Sequence, residues 1–139
     1  MRGVIFDAFG TLVQIHEGRH PFRQILKLGI EQGRRPRADD AKVLMTNPWG
    51  LAEAARQLGI TIKPGILETI QDQLDAELEL ISAYPDGLEA VSLLQEAGFK
   101  VAVCSNLAQP YAAAIERLYP SLDGYSYSFE AGVVKPDFK

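Results

Sequence analysis

Asp7 closes the first apolar run of the chain, Val4-Ile5-Phe6, and Ala8-Phe9-Gly10-Thr11 follows it at once. Such a run ahead of a carboxylate is the pattern of a strand buried on both faces of a parallel sheet. Open α/β sheets hold their ligands outside the carboxyl ends of the strands, where Asp7 would sit. The chemistry open to it is nucleophilic. A carboxylate can attack phosphorus or an activated carbon, and water then hydrolyses the covalent intermediate. Two later segments offer partners. Val101 to Cys104 is a second buried-strand pattern ending in Ser105 and Asn106, and Lys135 follows a third apolar-aromatic segment, Tyr125 to Val134. Lys135 would neutralise charge at the reacting centre and keep Asp7 ionised. Ser105 and the backbone N–H groups of the Asp7 to Thr11 turn would donate hydrogen bonds to a phosphoryl oxygen or a substrate carboxylate. Thr11 would orient the turn, and Asn106 is either a second donor or a helix cap.

The rest of the chain must bring these three strand ends together. From about Gln14 to Ala83 the pattern is helical. Pro21 can open a helix carrying Phe22, Ile25, Leu26 and Ile30, with Gly33 beyond it. Asp39 and Asp40 favour a first turn ahead of Val43, Leu44 and Met45. Asn47-Pro48 reads as a cap and first position of a helix to Leu58, stopped by Gly59. Pro64 opens the longest helix, whose Leu67, Ile70, Leu74, Leu78 and Ile81 form a helix–helix seam. After Tyr84-Pro85-Asp86 the pattern alternates: a helix from Leu88 to Ala97, the Val101 strand, a helix from Pro110 to Tyr119, and a strand from Tyr125 to Phe129. That alternation predicts parallel strands with right-handed crossovers. The fold class is therefore α/β, a Rossmann-like parallel sheet core with an inserted helical cap. Residues 1–13 and 84–139 make the core, and residues 14–83 make the cap.

The set Asp7, Ser105 and Lys135, each after its own strand, resembles the active site of the haloacid dehalogenase (HAD) superfamily. Asp-Ala-Phe-Gly-Thr-Leu from Asp7 is similar to its first motif, Ser105-Asn106 to its second and Lys135-Pro136-Asp137 to its third, in the family's order. The resemblance implies an aspartate-nucleophile hydrolase with a helical cap between the first two motifs. Its substrate would be a small anion, a phosphate ester or a 2-haloacid. Two departures qualify this. Phosphatase members carry a second Asp two residues after the nucleophile as general acid and base, and Phe9 stands there instead. Acid–base assistance contributes ~10²–10⁴ in rate, so phosphomonoester hydrolysis should be impaired. A halide leaves without a proton, and dehalogenase members carry an aromatic residue at this position. Arg23 and Arg34 to Arg37 are the candidates for that subfamily's cap arginine, by proximity in sequence only.

The second departure is at the C-terminus. The family's acidic fourth motif would lie beyond Lys139, so the sheet core is expected to be incomplete at one side. Mg²⁺ would then be held weakly through Asp7 and the Phe9 carbonyl, and dehalogenase-like chemistry would need none. The edge of Gly3 to Phe6 would be unpaired and would invite a second copy, unless the sequence is a shortened form of a longer protein. The alternative reading is a non-catalytic HAD-fold relic or interaction module that self-associates. Composition fits a soluble globular protein, with 47% hydrophobic and 23% charged residues. A net charge of −4 argues against nucleic-acid or anionic-membrane partners. The Arg34-Arg35-Pro36-Arg37 cluster reads as a solvated loop, and Cys104, the single cysteine, as a small buried apolar residue. The absence of a signal-like or transmembrane run makes the cytoplasm the expected compartment.

Overall fold

A computed structural model describes residues 2–16 and 18–133. The apolar runs form a parallel sheet in the order β1-β4-β5, from Gly3–Phe6, Lys100–Ser105 and Gly124–Tyr127. Val4 pairs in register with Val101 and Phe6 with Val103, while Val103 pairs with Tyr125 and Ser105 with Tyr127. Between β1 and β4 come the short strands β2 (Val13–Gln14) and β3 (Ser82–Ala83) and five helices. These are α1 (Pro21–Glu31), α2 (Asp40–Met45), α3 (Leu51–Gln57), α4 (Pro64–Leu80) and α5 (Pro85–Glu96). A 3-10 turn at Gln109–Tyr111 and α6 (Ala112–Leu118) link β4 to β5, and α7 (Ser128–Ala131) follows.

Among the described residues one face of the sheet is packed and the other is open. Val101, Val103, Tyr127, Val91 of α5 and Ile115 of α6 share one buried cluster. Both crossovers run in the same direction along the sheet, so right-handedness puts α5 and α6 on the same face. Side chains alternate along a strand, which sends Ile5, Ala102 and Cys104 to the opposite face. Ile5 is 72% exposed, while Ala102 and Cys104 are half-buried. The expectation that β1 is buried on both faces is therefore corrected, as is full burial for Cys104. The apolar run reports strand and sheet, but covering the second face takes crossovers in the other direction.

Residues between the short strands build a second cluster from Ile25, Leu51, Ala55, Ile60, Ile70 and Leu74. The stripe of α4 supplies this seam, packed against α1 and α3. Gly29 lets the turn after α3 close in: a Cβ there would lie 2.8 Å from Ile60 Cδ1. Strands β2 and β3 pair antiparallel, Val13 with Ala83 and Gln14 with Ser82, so the intervening stretch leaves and returns at one place. Arg117 of α6 donates to the carbonyls of Leu78 and Ile81 at 3.1 and 3.2 Å, closing the last turn of α4. At the same junction Leu12 O accepts from the Tyr84 N–H and the Tyr119 hydroxyl, at 2.9 and 2.8 Å. Gly87 makes room for that hydroxyl, since an added Cβ would stand 2.7 Å from it.

Three element boundaries differ from expectation for visible reasons. Helix α3 starts at Leu51 with Gly50 at its N-cap, not at Asn47-Pro48. The Asn47 amide instead donates to Val43 O at 2.9 Å, closing α2 behind it. Helix α5 starts at Pro85, whose missing N–H is harmless in a first turn. Strand β5 ends at Tyr127, because Ser128 bonds sideways to Leu107 and the chain turns helical. Among the described residues no helix is long and apolar enough to cross a membrane.

The arginine segment is a loop in which Arg35, Pro36 and Arg37 are exposed as expected, and the expectation is corrected for Arg34 alone. Arg34 grips Asp40 with both terminal guanidinium nitrogens at 2.8 and 2.9 Å, and the Arg37 N–H adds a third bond at 3.0 Å. Asp40 is buried, and the Arg34 bond chiefly holds its carboxyl down to about 2. The folded value lies below the ordinary one, so this stability is present at neutral pH and lost as pH falls from about 4 towards 2. Asp40→Asn is expected to cost roughly 2 kcal/mol at neutral pH. In urea titrations the gap between wild type and variant should close by about pH 2; parallel stabilities across that window would refute the pairing.

Candidate active site

Asp7 and Ser105 stand at the carboxyl ends of adjacent parallel strands, because Phe6 and Val103 are in register. Asp7 is exposed and Ser105 is 3% exposed. The chain after Asp7 folds into a tight turn in which Ala8 O accepts the N–H groups of Thr11, Leu12 and Val13 at 2.8 to 3.1 Å. Gly10, at φ 84°, makes the turn possible and gives its own N–H to Val13 O at 2.9 Å. The Ala8 N–H donates to Asp7 Oδ1 at 2.9 Å, which fixes the carboxylate against the turn. The N–H groups of Gly10 and Thr11 are thus committed within the turn, and the donor role expected of the turn does not extend to them. Thr11 itself is exposed on its outside.

Next to these strand ends lies a cavity of about 360 Å³, lined from α1, α2 and the segments that follow the two strands; Asp7 and Ser105 are not among its lining residues. Its lining includes Phe9, Phe22, Leu26, Leu44, Met45 and Leu107. Polar groups enter from His20, Arg23 and Asn106. Asn106 is therefore at the cavity, and the N-cap of the following 3-10 turn is Ala108. Phe9 forms the wall against Tyr111, edge to face at 5.9 Å. Of the sequence candidates, Asp7 and Ser105 share one end of the sheet, and Phe9 and Asn106 line the cavity beside them. Thr11 joins the turn through its N–H bond to Ala8 O. Lys135 and Asp137 lie outside the described residues.

Four further residues shape this region and escaped the sequence reading. Glu77 of α4 is 3% exposed, with the Tyr111 hydroxyl 3.4 Å from both carboxylate oxygens. Burial pushes the Glu77 carboxyl up, opposed by Tyr111, His20 and the Arg19 N–H. Burial, with the neighbouring Glu77 charge, also pushes the Tyr111 phenol well up. The signal for Glu77 was available, since it falls three residues after Leu74 on the apolar stripe. His20 holds φ 53°, the sole positive φ among the described non-glycine residues, at the mouth of α1. Such a backbone costs about 1–3 kcal/mol and persists where surrounding structure enforces it. Ser128 accepts the Leu107 N–H at 3.0 Å and donates to Leu107 O at 3.2 Å. It thereby pins the segment that carries Asn106.

Comparison with known proteins gives this architecture a family context. The model of the haloacid dehalogenase-like hydrolases, a hydrolase family, matches residues 1–139. A HAD family enzyme from Bacteroides thetaiotaomicron superposes with a TM-score of 0.61 at 14% identity, over 99% of this chain and 73% of that one. The Bacteroides thetaiotaomicron enzyme in complex with magnesium and inorganic phosphate gives 0.58 at 11% identity, over 99% and 73%. A dehalogenase gives 0.52 at 21% identity, over 99% of this chain and 66% of that one. The chain thus spans 66% to 73% of the length of these structures. No curated protein sequence matches it.

Proposed function

Because the chain belongs to the haloacid dehalogenase-like hydrolases, we propose that it hydrolyses a small anionic substrate, a phosphate ester or a 2-haloacid, with Asp7 as nucleophile. The observation that carries this reading is the pairing of Asp7 and Ser105 at adjacent strand ends, next to a cavity that Phe9 and Asn106 line. A carboxylate oxygen of Asp7 attacks phosphorus or the halogen-bearing carbon, and the alkoxide or halide leaves with the bonding pair. Water hydrolyses the resulting acyl phosphate or ester, which restores Asp7 and releases phosphate or a 2-hydroxy acid. Ser105, Asn106 and Lys135 are assigned to holding the anion, and Thr11 to bracing the turn. Residues 1–13 and 84–139 form the catalytic lobe in this reading, and residues 14–83 the cap. The test is release of phosphate or halide from both substrate types, compared between wild type and Asp7→Asn.

Asp7 is the carboxylate that would hold magnesium. Among the described residues no three His, Cys, Asp or Glu side chains converge as a metal site. Asp7 would hold magnesium weakly, with the substrate anion and water completing the oxygen ligands, and no step above runs through a metal.

Phe9 favours a second reading, in which the fold binds an anion without turning it over. At the position of the phosphatase acid–base it offers a ring packed on Tyr111 and no proton. Common to both readings is self-association through β1. This strand ends the described sheet, and its unpaired edge adjoins the open face carrying Ile5. Light scattering should return twice the single-chain mass. A single-chain mass from protein with a folded circular-dichroism spectrum would rule the association out.

A further inference from the structure

We infer that the cavity selects substrates by an apolar organic group, and that α2 measures its size. The inference rests on the proposed hydrolase reading for the anionic head of the substrate, and goes beyond it in naming what that head is attached to. A volume of about 360 Å³ stands at the low end for small-molecule sites, so the group is small. The walls are aromatic and aliphatic, and no acidic side chain lines them among the described residues. His20, Arg23 and Asn106 supply the polar contacts. The Tyr111 hydroxyl points away to Glu77. A polyhydroxylated body would therefore bring in several hydroxyls without partners, each costing on the order of tenfold in affinity. An alkyl or aryl body of similar size meets Phe9, Leu26, Leu44 and Met45 with no such loss. His20 and Arg23, from the start of α1, give the same cavity its preference for a negative ligand.

Helix α2 supplies the measuring wall. Ala41, Leu44 and Met45 line the cavity from successive turns. Leu44 is 5% exposed, so replacing it risks the fold, whereas Ala41 is exposed and tolerates substitution better. A large side chain at position 41 should occupy the space the organic group needs.

The test is calorimetric titration of the wild-type protein with non-hydrolysable anions. Benzylphosphonate is compared with 2,3-dihydroxypropylphosphonate, and phenylacetate with gluconate, so that both head groups are sampled. For at least one head group the apolar member should bind ten times or more tighter than its hydroxylated counterpart. In Ala41→Trp that member should lose at least tenfold in affinity, while methylphosphonate or acetate binds as before and the thermal midpoint holds. Equal binding of apolar and hydroxylated members, no binding by any, or an Ala41→Trp protein that is folded and unaltered in affinity would each overturn the inference. Since no turnover is measured, apolar anions that bind to a hydrolytically silent protein would sustain this inference while defeating the catalytic reading.

Discussion

Asp7→Asn is expected to lower hydrolysis of any accepted substrate by on the order of 10³ or more while leaving the fold intact. Removing the attacking group of a covalent mechanism removes the step itself, and losses of this size or larger are the experience with other nucleophiles. The change is nearly isosteric. The asparagine carbonyl oxygen can still accept the Ala8 N–H now bonded to Asp7 Oδ1 at 2.9 Å. The side chain is exposed, so the stability change should stay within about 0.5 kcal/mol. Phosphate or halide release, measured beside a thermal melt, checks both halves. Equal activity in the two proteins would remove Asp7 from the mechanism, and a large loss of stability would mean the residue is a scaffold part first.

Phe9→Asp should raise phosphate-ester hydrolysis by about 10² or more and leave 2-haloacid hydrolysis no better than before. A positioned carboxylic acid contributes ~10²–10⁴ where the leaving group needs a proton, and an alkoxide needs one while a halide does not. The gain should be larger for alkyl than for aryl esters, because the alkoxide is the poorer leaving group. Stability will fall. Phe9 is half-buried and packs edge to face on Tyr111 at 5.9 Å, so about 1–3 kcal/mol is the expected loss. Rates must be taken on the folded fraction for that reason. If alkyl and aryl esters respond alike, or neither improves, the position is a wall of the cavity and no vacant acid–base site.

What the sequence made legible was the placement of Asp7 and Ser105, because a strand followed by a polar residue fixes both an element and its carboxyl end. The parallel order followed from the alternation after Tyr84. Other features were hidden by competition between local signals. Asn47-Pro48 carries a helix-start pattern, yet the Asn47 amide reaches back to Val43 O, and only three-dimensional proximity decides between the two uses. Glu77 was lost inside an otherwise apolar stripe, although its place on the buried side of α4 was readable from its spacing. The open face of the sheet was not readable from β1 at all. Ile5 has the same neighbours in sequence whether or not a helix covers it, and coverage depends on the direction of distant crossovers. Arg34 looked like one of three equivalent arginines until Asp40, six residues on, singled it out.

The antiparallel pair of Val13–Gln14 with Ser82–Ala83 acts as a shared doorway. A stretch that departs and re-enters through adjacent backbones transmits nothing of its own length to the parallel strands outside. Lengthening a closed loop adds little further entropy, about 0.6 kcal/mol for each doubling. The helices between those two strands should therefore be exchangeable, provided the contacts of Tyr111 and Arg117 with the end of α4 are kept. A chimera that keeps the doorway and substitutes a different helical set would carry the Asp7 turn unchanged beneath a new roof.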